Sequence, residues 1–327
     1  SGLPRDSHEP MWTACDAPEW DDFVEATKQR QPTRPPYDKF AYSNLGYSLL
    51  GGIIHAVSGQ SWADYLQQHI LDPLGMTETK PIPKRDDEQL ATGYSKLDKN
   101  YERSPLPFFL MNGFEASANF ASTINDLVKY ATFHLNKDKS PILSSHTLRD
   151  MHRVHWLQEG WDSGYGLGLG VYKIKDWTLS GHGGAYPGYL SSFSLSREHN
   201  MAVIVLTNAI DSDPFQYLEQ CYKLVLPEII KATEKSTPKA NPIWEKYLGE
   251  YSNLWSLSKV IIRNNQLQVI SLDWVDAPPS ILEPTDEAHV FTVQEAGQSN
   301  ETVRFEFDDD GQVINMRYRN EISKRQS

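Results

Sequence analysis

Phe40-Ala41-Tyr42-Ser43-Asn44-Leu45-Gly46-Tyr47-Ser48-Leu49-Leu50-Gly51-Gly52 joins a short apolar approach to the start of an apolar helical pattern. Ser43 or Asn44 is suited to cap that helix, because a side-chain oxygen there accepts a hydrogen bond from an otherwise unpaired backbone N–H. Tyr42 then stands at the helix mouth as a phenol, with the Asn44 amide beside it. A phenol, whose ordinary pKa is about 10, serves as a general base only where cations lower that value. Tyr42 therefore requires a positively charged companion. The stretch in which to seek one is Gly181-His182-Gly183-Gly184-Ala185-Tyr186-Pro187-Gly188-Tyr189.

Working outward, Leu45, Leu49, Ile53 and Ala56 share one face of a helix over 45–58, and Gly59 follows as its C-terminal stop. Gly51-Gly52 inside it costs stability relative to Ala and predicts close packing. Residues 1–18 carry Pro4, Pro10 and Pro18 and read as surface loop. Residues 19–30 run from acidic to basic, an order that suits a helix dipole. Ser61 opens a helix to about Leu71 in a capping-box pattern. Gly59-Gln60-Ser61-Trp62-Ala63 approaches Gly-x-Ser-x-Gly but lacks the last glycine and a preceding buried strand, so Ser61 reads as a cap and not a nucleophile. Residues 77–111, with four prolines and many charges, read as an irregular rim of a binding site.

Ser122–Asp126 caps another helix, and a short one follows at about 145–154. Strands are predicted at Tyr165–Lys173, Trp177–His182, Tyr189–Ser196 and Met201–Leu206, joined by connections short enough to make them antiparallel. Phe215, Leu218, Tyr222, Val225 and Ile229 form an amphipathic helix, bent at Pro227. Residues 231–242 are polar with two prolines and read as a linker. Beyond them, regular short strands with tight turns indicate a small barrel or sandwich. The chain thus divides into 1–230, a linker at 231–242, and an all-β domain at 243–327.

Composition narrows the function. With 31 Lys+Arg against 43 Asp+Glu, the net charge of −12 and the lack of a basic run disfavour nucleic acid, whose binding rests on neutralising phosphates. No stretch approaches the roughly 20 apolar residues that span a membrane. The two cysteines, Cys15 and Cys221, supply neither a disulfide framework nor a metal site, and leave one bridge and the compartment open. His152 and His155 lack the glutamate of a His-Glu-x-x-His site and read as a solvated face. Asp308–Asp310 reads as a hairpin turn and not a calcium loop. No metal or cofactor is called for. Trp156, Trp161, Phe108-Phe109, Tyr186 and Tyr189 are candidates to line a cleft, and oligomeric state is not legible.

Five segments in order resemble one family. Tyr42-Ser43-Asn44 is similar to the Tyr-x-Asn motif of class C β-lactamases and related penicillin-binding-protein-like serine hydrolases and esterases. Gly181-His182-Gly183-Gly184 resembles its third motif in the His-x-Gly form. Leu74-Gly75-Met76, Ala121-Ser122-Thr123 with Asp126-Leu127, and Tyr165-Gly166-Leu167-Gly168 resemble its connecting landmarks. The resemblance covers about 1–230, and the segment after the linker resembles the lipocalin-like β domain that some members append.

It implies an α+β fold, an antiparallel sheet flanked by helices, and an acyl-enzyme mechanism in which a Ser-x-x-Lys supplies nucleophile and lysine. Tyr42 would shuttle protons, with Asn44 beside it, and His182 would contribute a donor near the phenol. Gly183, Gly184, Ala185 and Tyr189 would line the substrate, a small molecule or peptide, with the Ala185 N–H as one oxyanion donor. Ser1-Gly2-Leu3-Pro4 resembles the end of the loop that follows Ser-x-x-Lys in the family, and no Ser-x-x-Lys precedes Tyr42. The downstream matches, Ser236-Thr237-Pro238-Lys239 and Ser256-Leu257-Ser258-Lys259, stand in the wrong order and context and read as chance. The chain is therefore expected to hold half of an active site, with the nucleophile upstream. A binding protein that keeps the cleft without the nucleophile is the runner-up, and an apolar ligand inside the C-terminal barrel is a third reading.

Overall fold

The computed structural model of the chain describes residues 2–6, 12, 17–136, 142–160, 162–236, 241–274, 277–294 and 301–326. Its first helix, α1 (Trp20–Lys28), has Asp21 and Asp22 in the first turn and Lys28 in the last, and buries Phe23. In α2 (Asn44–Ser58) the cap is Ser43: its Oγ accepts the Gly46 N–H at 2.9 Å and donates to the Pro4 carbonyl at 2.7 Å. Asn44 is thereby the first helical residue. Gly59 ends the helix at φ 73°, in the left-handed region that glycine enters without steric cost. A Cβ on Gly51 would lie 2.5 Å from the Ala116 Cβ, and one on Gly52 2.5 Å from the Trp20 ring. Both glycines are there for close packing.

Ser61 caps α3 (Trp62–Leu66), accepting the Asp64 N–H at 3.0 Å. The helical path continues past the expected stop at Leu71, through a π turn (Gln67–Leu71) and Asp72–Leu74, and Gly75 ends it at φ 67°. Next come α4 (Ile124–Leu135), capped by the Thr123 side chain, and α5 (Ser145–His152).

A six-stranded antiparallel sheet follows in sequential order: β1 (Trp156–Leu157), β2 (Ser163–Tyr165), β3 (Gly170–Ile174), β4 (Trp177–Tyr186), β5 (Tyr189–Ser196) and β6 (Met201–Thr207). Three differences from the sequence reading have identifiable causes. The stretch 165–173 is two strands, because Gly168 turns the chain at φ 77°. β1 is too short to carry a periodicity. β4 runs on past the expected end at His182 through the glycine-rich 183–186, paired with β5 from Gly183↔Ser192 to Tyr186↔Tyr189. Side chains alternate across these strands. On one face Phe193 meets Tyr130 and His134 of α4. On the other, Ser192, Ser194 and Ser196 leave room for aromatic rings from the opposite layer.

That layer is α6 (Pro214–Ser236), with Leu218, Tyr222 and Leu226 fully buried; Tyr222 Oη donates to the Ser194 carbonyl at 3.1 Å and Phe215 lies against Tyr172. Pro227 sits inside the helix, and residues 231–236, read above as linker, continue it. Residues 237–240 lie outside the described residues. The chain divides into two compact units, Ser1–Ile229 and Ile230–Ser327.

The second unit is a closed, all-antiparallel barrel, which decides between the barrel and sandwich alternatives. Its strands are β7 (Gly249–Ser252), β8 (Leu257–Arg263), β9 (Gln266–Ser271), β10 (Ser280–Pro284), β11 (Val290–Gln294), β12 (Thr302–Phe307), β13 (Val313–Tyr318) and β14 (Glu321–Arg325), closed by β14 on β7. Tyr247, Tyr251, Phe291 and Phe305 fill its centre with ring-on-ring contacts. Gly311, at φ 77°, forms the 308–311 turn with Asp308, whose carboxylate accepts the Asp310 and Gln312 N–H groups.

Candidate active site

The cap at Ser43 and the strand β4 bring Tyr42 and His182 together: their ring centroids lie 5.9 Å apart. Residues 2–6 strap the mouth of α2. The Arg5 carbonyl accepts the Leu45 N–H, and the Arg5 guanidinium lies over the Tyr42 ring at 5.7 Å from its centroid. Asn44 is buried and donates from Nδ2 to Asp6 Oδ1 at 2.8 Å. Residues 7–11 and 13–16, including Cys15, lie outside the described residues; Cys221 is a free thiol.

The hydrogen bonds assign the His182 tautomer. Its Nδ1 lies 2.5 Å from the Gly183 carbonyl, which only accepts, so Nδ1 carries the proton. Nε2, 2.9 Å from Tyr165 Oη, then accepts from that hydroxyl while the ring is neutral. The expected donor from His182 to Tyr42 is thus replaced by a bond to Tyr165. The cation at Tyr42 is Arg5, from residues 2–6, and not a residue of the 181–189 stretch in which one was sought.

Arg5 does not suffice to lower the phenol. Burial raises the Tyr42 pKa, Arg5 pulls it down, and Asp6 pushes it up, leaving the net shift upward. Tyr47 and Tyr165 are also raised, first by burial and then by neighbouring phenols; at Tyr47 a bond with the Gly168 backbone works against the rise. Three phenols that discourage one another's ionisation hold protons at neutral pH. In this arrangement the Tyr42 hydroxyl stays neutral, and a role as a base there would require a further cation.

Sequence reading missed Arg5 and Asp6, which carry no pattern beyond a polar loop, and gave Tyr165 and Tyr47 no role. Tyr165 was nevertheless marked as a landmark beside Gly166-Leu167-Gly168.

His182, Gly183 and Gly184 line a cleft of about 450 Å³ with Tyr165, Tyr172 and Phe215. β3 pairs with β4 only as far as Gly170↔Gly181, so beyond that point β4 is paired on the β5 side alone. Ala185 is exposed there. Tyr189 lies at the far end of the β4–β5 hairpin, and its hydroxyl donates to the Ala91 carbonyl. Tyr186 likewise bonds the Phe109 carbonyl and stacks on the Phe109 ring, so both phenols hold the rim loop. Phe108 and Phe109 line a second cleft, of about 460 Å³, with Lys84 and Arg85. Trp161 lies outside the described residues.

One other histidine expectation changes, that for His152, while His155 is exposed as expected. His155 pairs with Asp150, but His152 is no solvated residue: Nε2 bonds His134 Nδ1 at 2.9 Å and Nδ1 bonds Ser180 Oγ at 2.6 Å. No group of three or more metal-ligating side chains occurs among the described residues.

Of Gly181 and Gly184 in β4, the first is fixed by backbone contact. A Cβ on Gly181 would lie 2.0 Å from the Phe193 carbonyl oxygen and 2.8 Å from the Ser194 Cα, whereas one on Gly184 meets only the movable Ser191 Oγ at 2.4 Å. Gly181→Ala is therefore expected to lower stability by about 1–3 kcal/mol in urea unfolding, with Gly184→Ala losing less. Equal losses would remove the distinction.

The sequence pattern of the Beta-lactamase family matches residues 1–220. The chain is 25% identical over 232 residues to penicillin-binding protein 4 of Amycolatopsis lactamdurans, covering 67% of this chain and 60% of that protein. Among solved structures, it is similar to the octameric penicillin-binding protein homologue from Pyrococcus abyssi (TM-score 0.58, 25% identity, 99% of this chain and 76% of that one). It is also similar to the D-amino acid amidase from Ochrobactrum anthropi SV3 complexed with L-phenylalanine (TM-score 0.57, 26% identity, 71% and 69%). The chain spans about half the length of the curated relatives it matches.

Proposed function

Because the chain belongs to the beta-lactamase family, we propose that it carries the Tyr-x-Asn and His-x-Gly side of a serine hydrolase that forms an acyl-serine on an ester or amide. The observation that carries this reading is the meeting of Tyr42 and His182 from two distant segments, with Asn44 anchored beneath by Asp6. In the proposed reaction a serine Oγ attacks the carbonyl carbon as its proton leaves toward a lysine amine. Tyr42 relays that proton to the leaving group, and water then releases the acyl group by the reverse relay. The lysine supplies the cation that the Tyr42 phenol lacks here. The Ala185 N–H is proposed as one oxyanion donor, with Gly183, Gly184 and Tyr189 along the substrate. Likeness to the D-amino acid amidase supports a D-amino-acid amide or peptide as substrate, with a small ester as the alternative. The C-terminal barrel is proposed as a lipocalin-like module.

The nucleophile of this reading is a Ser-x-x-Lys outside residues 1–327. Ser43 is held by its cap and the Pro4 carbonyl, and Ser48 is buried against Ser117. Ser256 bonds Asn253, while Lys259 pairs with Glu250. Lys239 lies outside the described residues.

The same facts favour a second reading, a binding protein without the nucleophile. Labelling the natural protein with a fluorophosphonate probe and mapping the adduct separates the two. A stoichiometric adduct on a Ser-x-x-Lys serine supports the hydrolase. An adduct on a serine within residues 1–327 overturns the motif assignment, and no adduct at all favours the binding protein.

A further inference from the structure

The second cleft, of about 460 Å³, has a cationic wall and an apolar one: Lys84 and Arg85 line the first, Phe108, Phe109 and Leu110 the second. Its volume lies in the range of small-molecule sites. Both walls are held in place. Pro83, next to the cations in the chain, is buried, and the turn that starts at Lys84 is closed by the Asp87 N–H, which donates to the Lys84 carbonyl at 3.2 Å. Arg85 reaches the apolar wall, where its Nη2 donates to the Phe108 carbonyl at 3.1 Å. The Phe109 N–H donates to Tyr186 Oη at 3.2 Å, and the two rings stack with centroids 5.1 Å apart. Asn112 Nδ2 donates to the Ala17 carbonyl at 3.0 Å. The acids of the Lys84 turn do not line the cleft: Asp87 is paired with Lys80, and Asp86 and Glu88 are exposed.

We propose that this cleft is a subsite for a carboxylate carried on an apolar or aromatic stem. Arg85 offers a planar guanidinium whose remaining N–H groups match carboxylate oxygens, and Lys84 adds a second positive charge. The stem packs on Phe108 and on Leu110, which is 47% exposed. A bare inorganic anion leaves that apolar wall uncovered, and an uncharged apolar ligand leaves the cations without a partner. Only a ligand with both parts matches both walls. The cleft also adjoins the strand proposed to hold the substrate: Tyr186, to which Phe109 is bonded, directly follows Ala185 at the end of β4. Resting on that proposed function, the cleft assigns the substrate class: the ester or amide bears a carboxylate remote from the scissile bond.

The test is a ligand-observed NMR titration of the 327-residue chain with 4-phenylbutyrate, its uncharged amide 4-phenylbutyramide, and inorganic phosphate. The acid is expected to bind about tenfold more tightly than the amide at low salt, the gain from one charge-assisted contact, and to lose most of that preference at about 1 M salt. K84Q/R85Q is expected to bind acid and amide equally, and Phe108→Ala to weaken both alike. Arg85 also holds the Phe108 carbonyl, so K84Q alone, which keeps that bond, serves as the second variant. It is expected to lose several-fold of the preference with far-UV circular dichroism unchanged. Equal binding of acid and amide by the parent, a preference that survives K84Q/R85Q, phosphate binding as tight as that of the acid, or no binding of any of the three overturns the proposal. The titration involves no turnover, so its failure leaves the acyl-serine reading standing. A Lys84- and Arg85-dependent preference without a fluorophosphonate adduct keeps the subsite and assigns it to a binding protein. In the natural protein, K84Q/R85Q is expected to raise KM for an ester ending in a carboxylate and not for its uncharged counterpart; equal changes overturn the substrate assignment.

Discussion

Tyr42→Phe in the natural protein is expected to lower kcat/KM for ester or amide hydrolysis by about 10²–10⁴-fold, the range for removing a positioned proton-transfer group. The substitution keeps the ring that faces His182 and lies under the Arg5 guanidinium, and removes only the hydroxyl. Tyr42 Oη has no structural bond among those described, and the residue is partly exposed, so the melting temperature should move little. A proton relay predicts that the loss falls on kcat, with KM nearly unchanged. Rates within twofold of the parent would dismiss Tyr42 as the relay. A loss confined to KM would make it a substrate contact instead. The environment sharpens the prediction: burial and Asp6 keep the phenol protonated against the pull of Arg5, so the hydroxyl needs both a donor and an acceptor in place. Tyr165, bonded to His182, cannot substitute from its own position.

Much of this arrangement was legible because local rules and tertiary demands agree. Ser43 caps α2 as its chemistry requires, and Gly51 and Gly52 are where a neighbouring Ala and Trp press on the helix. The strand 189–196 alternates serine with Phe193 and Leu195, and 201–207 is a short apolar run rich in β-branched residues, so both can be read. Where reading failed, the deciding contact is long-range. Nothing local says that the strand runs on through 183–186, since glycines read as turn; its partner β5 makes it do so. Polar residues 231–236 extend α6 although their composition reads as a linker. Arg5 and Asp6 belong to the site only because residues 2–6 cross the α2 mouth, a contact with no sequence period. The histidine network failed for a related reason. His152 lies at the exposed-looking end of a short helix, and its partners His134 and Ser180 come from another helix and a strand.

That network is expected to make the first unit acid-labile. Burial, then its histidine neighbour and Arg197, lower the His134 pKa from 6.5 to about 3; burial and Arg197 lower that of His152 to about 4. Both are neutral in the fold and take protons when unfolded, so the unfolded state binds more protons as pH falls through 6.5. Stability is full above that value and declines until about pH 4 for His152 and about pH 3 for His134. Each histidine contributes a slope of about 1.4 kcal/mol per pH unit inside its window. The geometry explains why a proton is not absorbed. His134 is wholly buried, its Nε2 has no hydrogen-bond partner among the described residues, and the facing charge is Arg197, with Arg149 beside it. Tyr130, Phe133 and Phe193 surround the ring, and Ser180 ends the chain of bonds. Urea unfolding between pH 7 and 4.5 should therefore show a steep loss, and His134→Phe, less stable at pH 7 for want of its bond to His152, should show a flatter one. Carboxylates act in a different window. Burial raises the Asp126 pKa, but Lys129, Thr79 and the Glu78 N–H outweigh it and hold it below 3.8, so its contribution is lost only below that value. A decline that begins near pH 6 and flattens in His134→Phe identifies the histidines. A decline confined below pH 4, or one equally steep in the variant, assigns the acid sensitivity to Asp126 and its like.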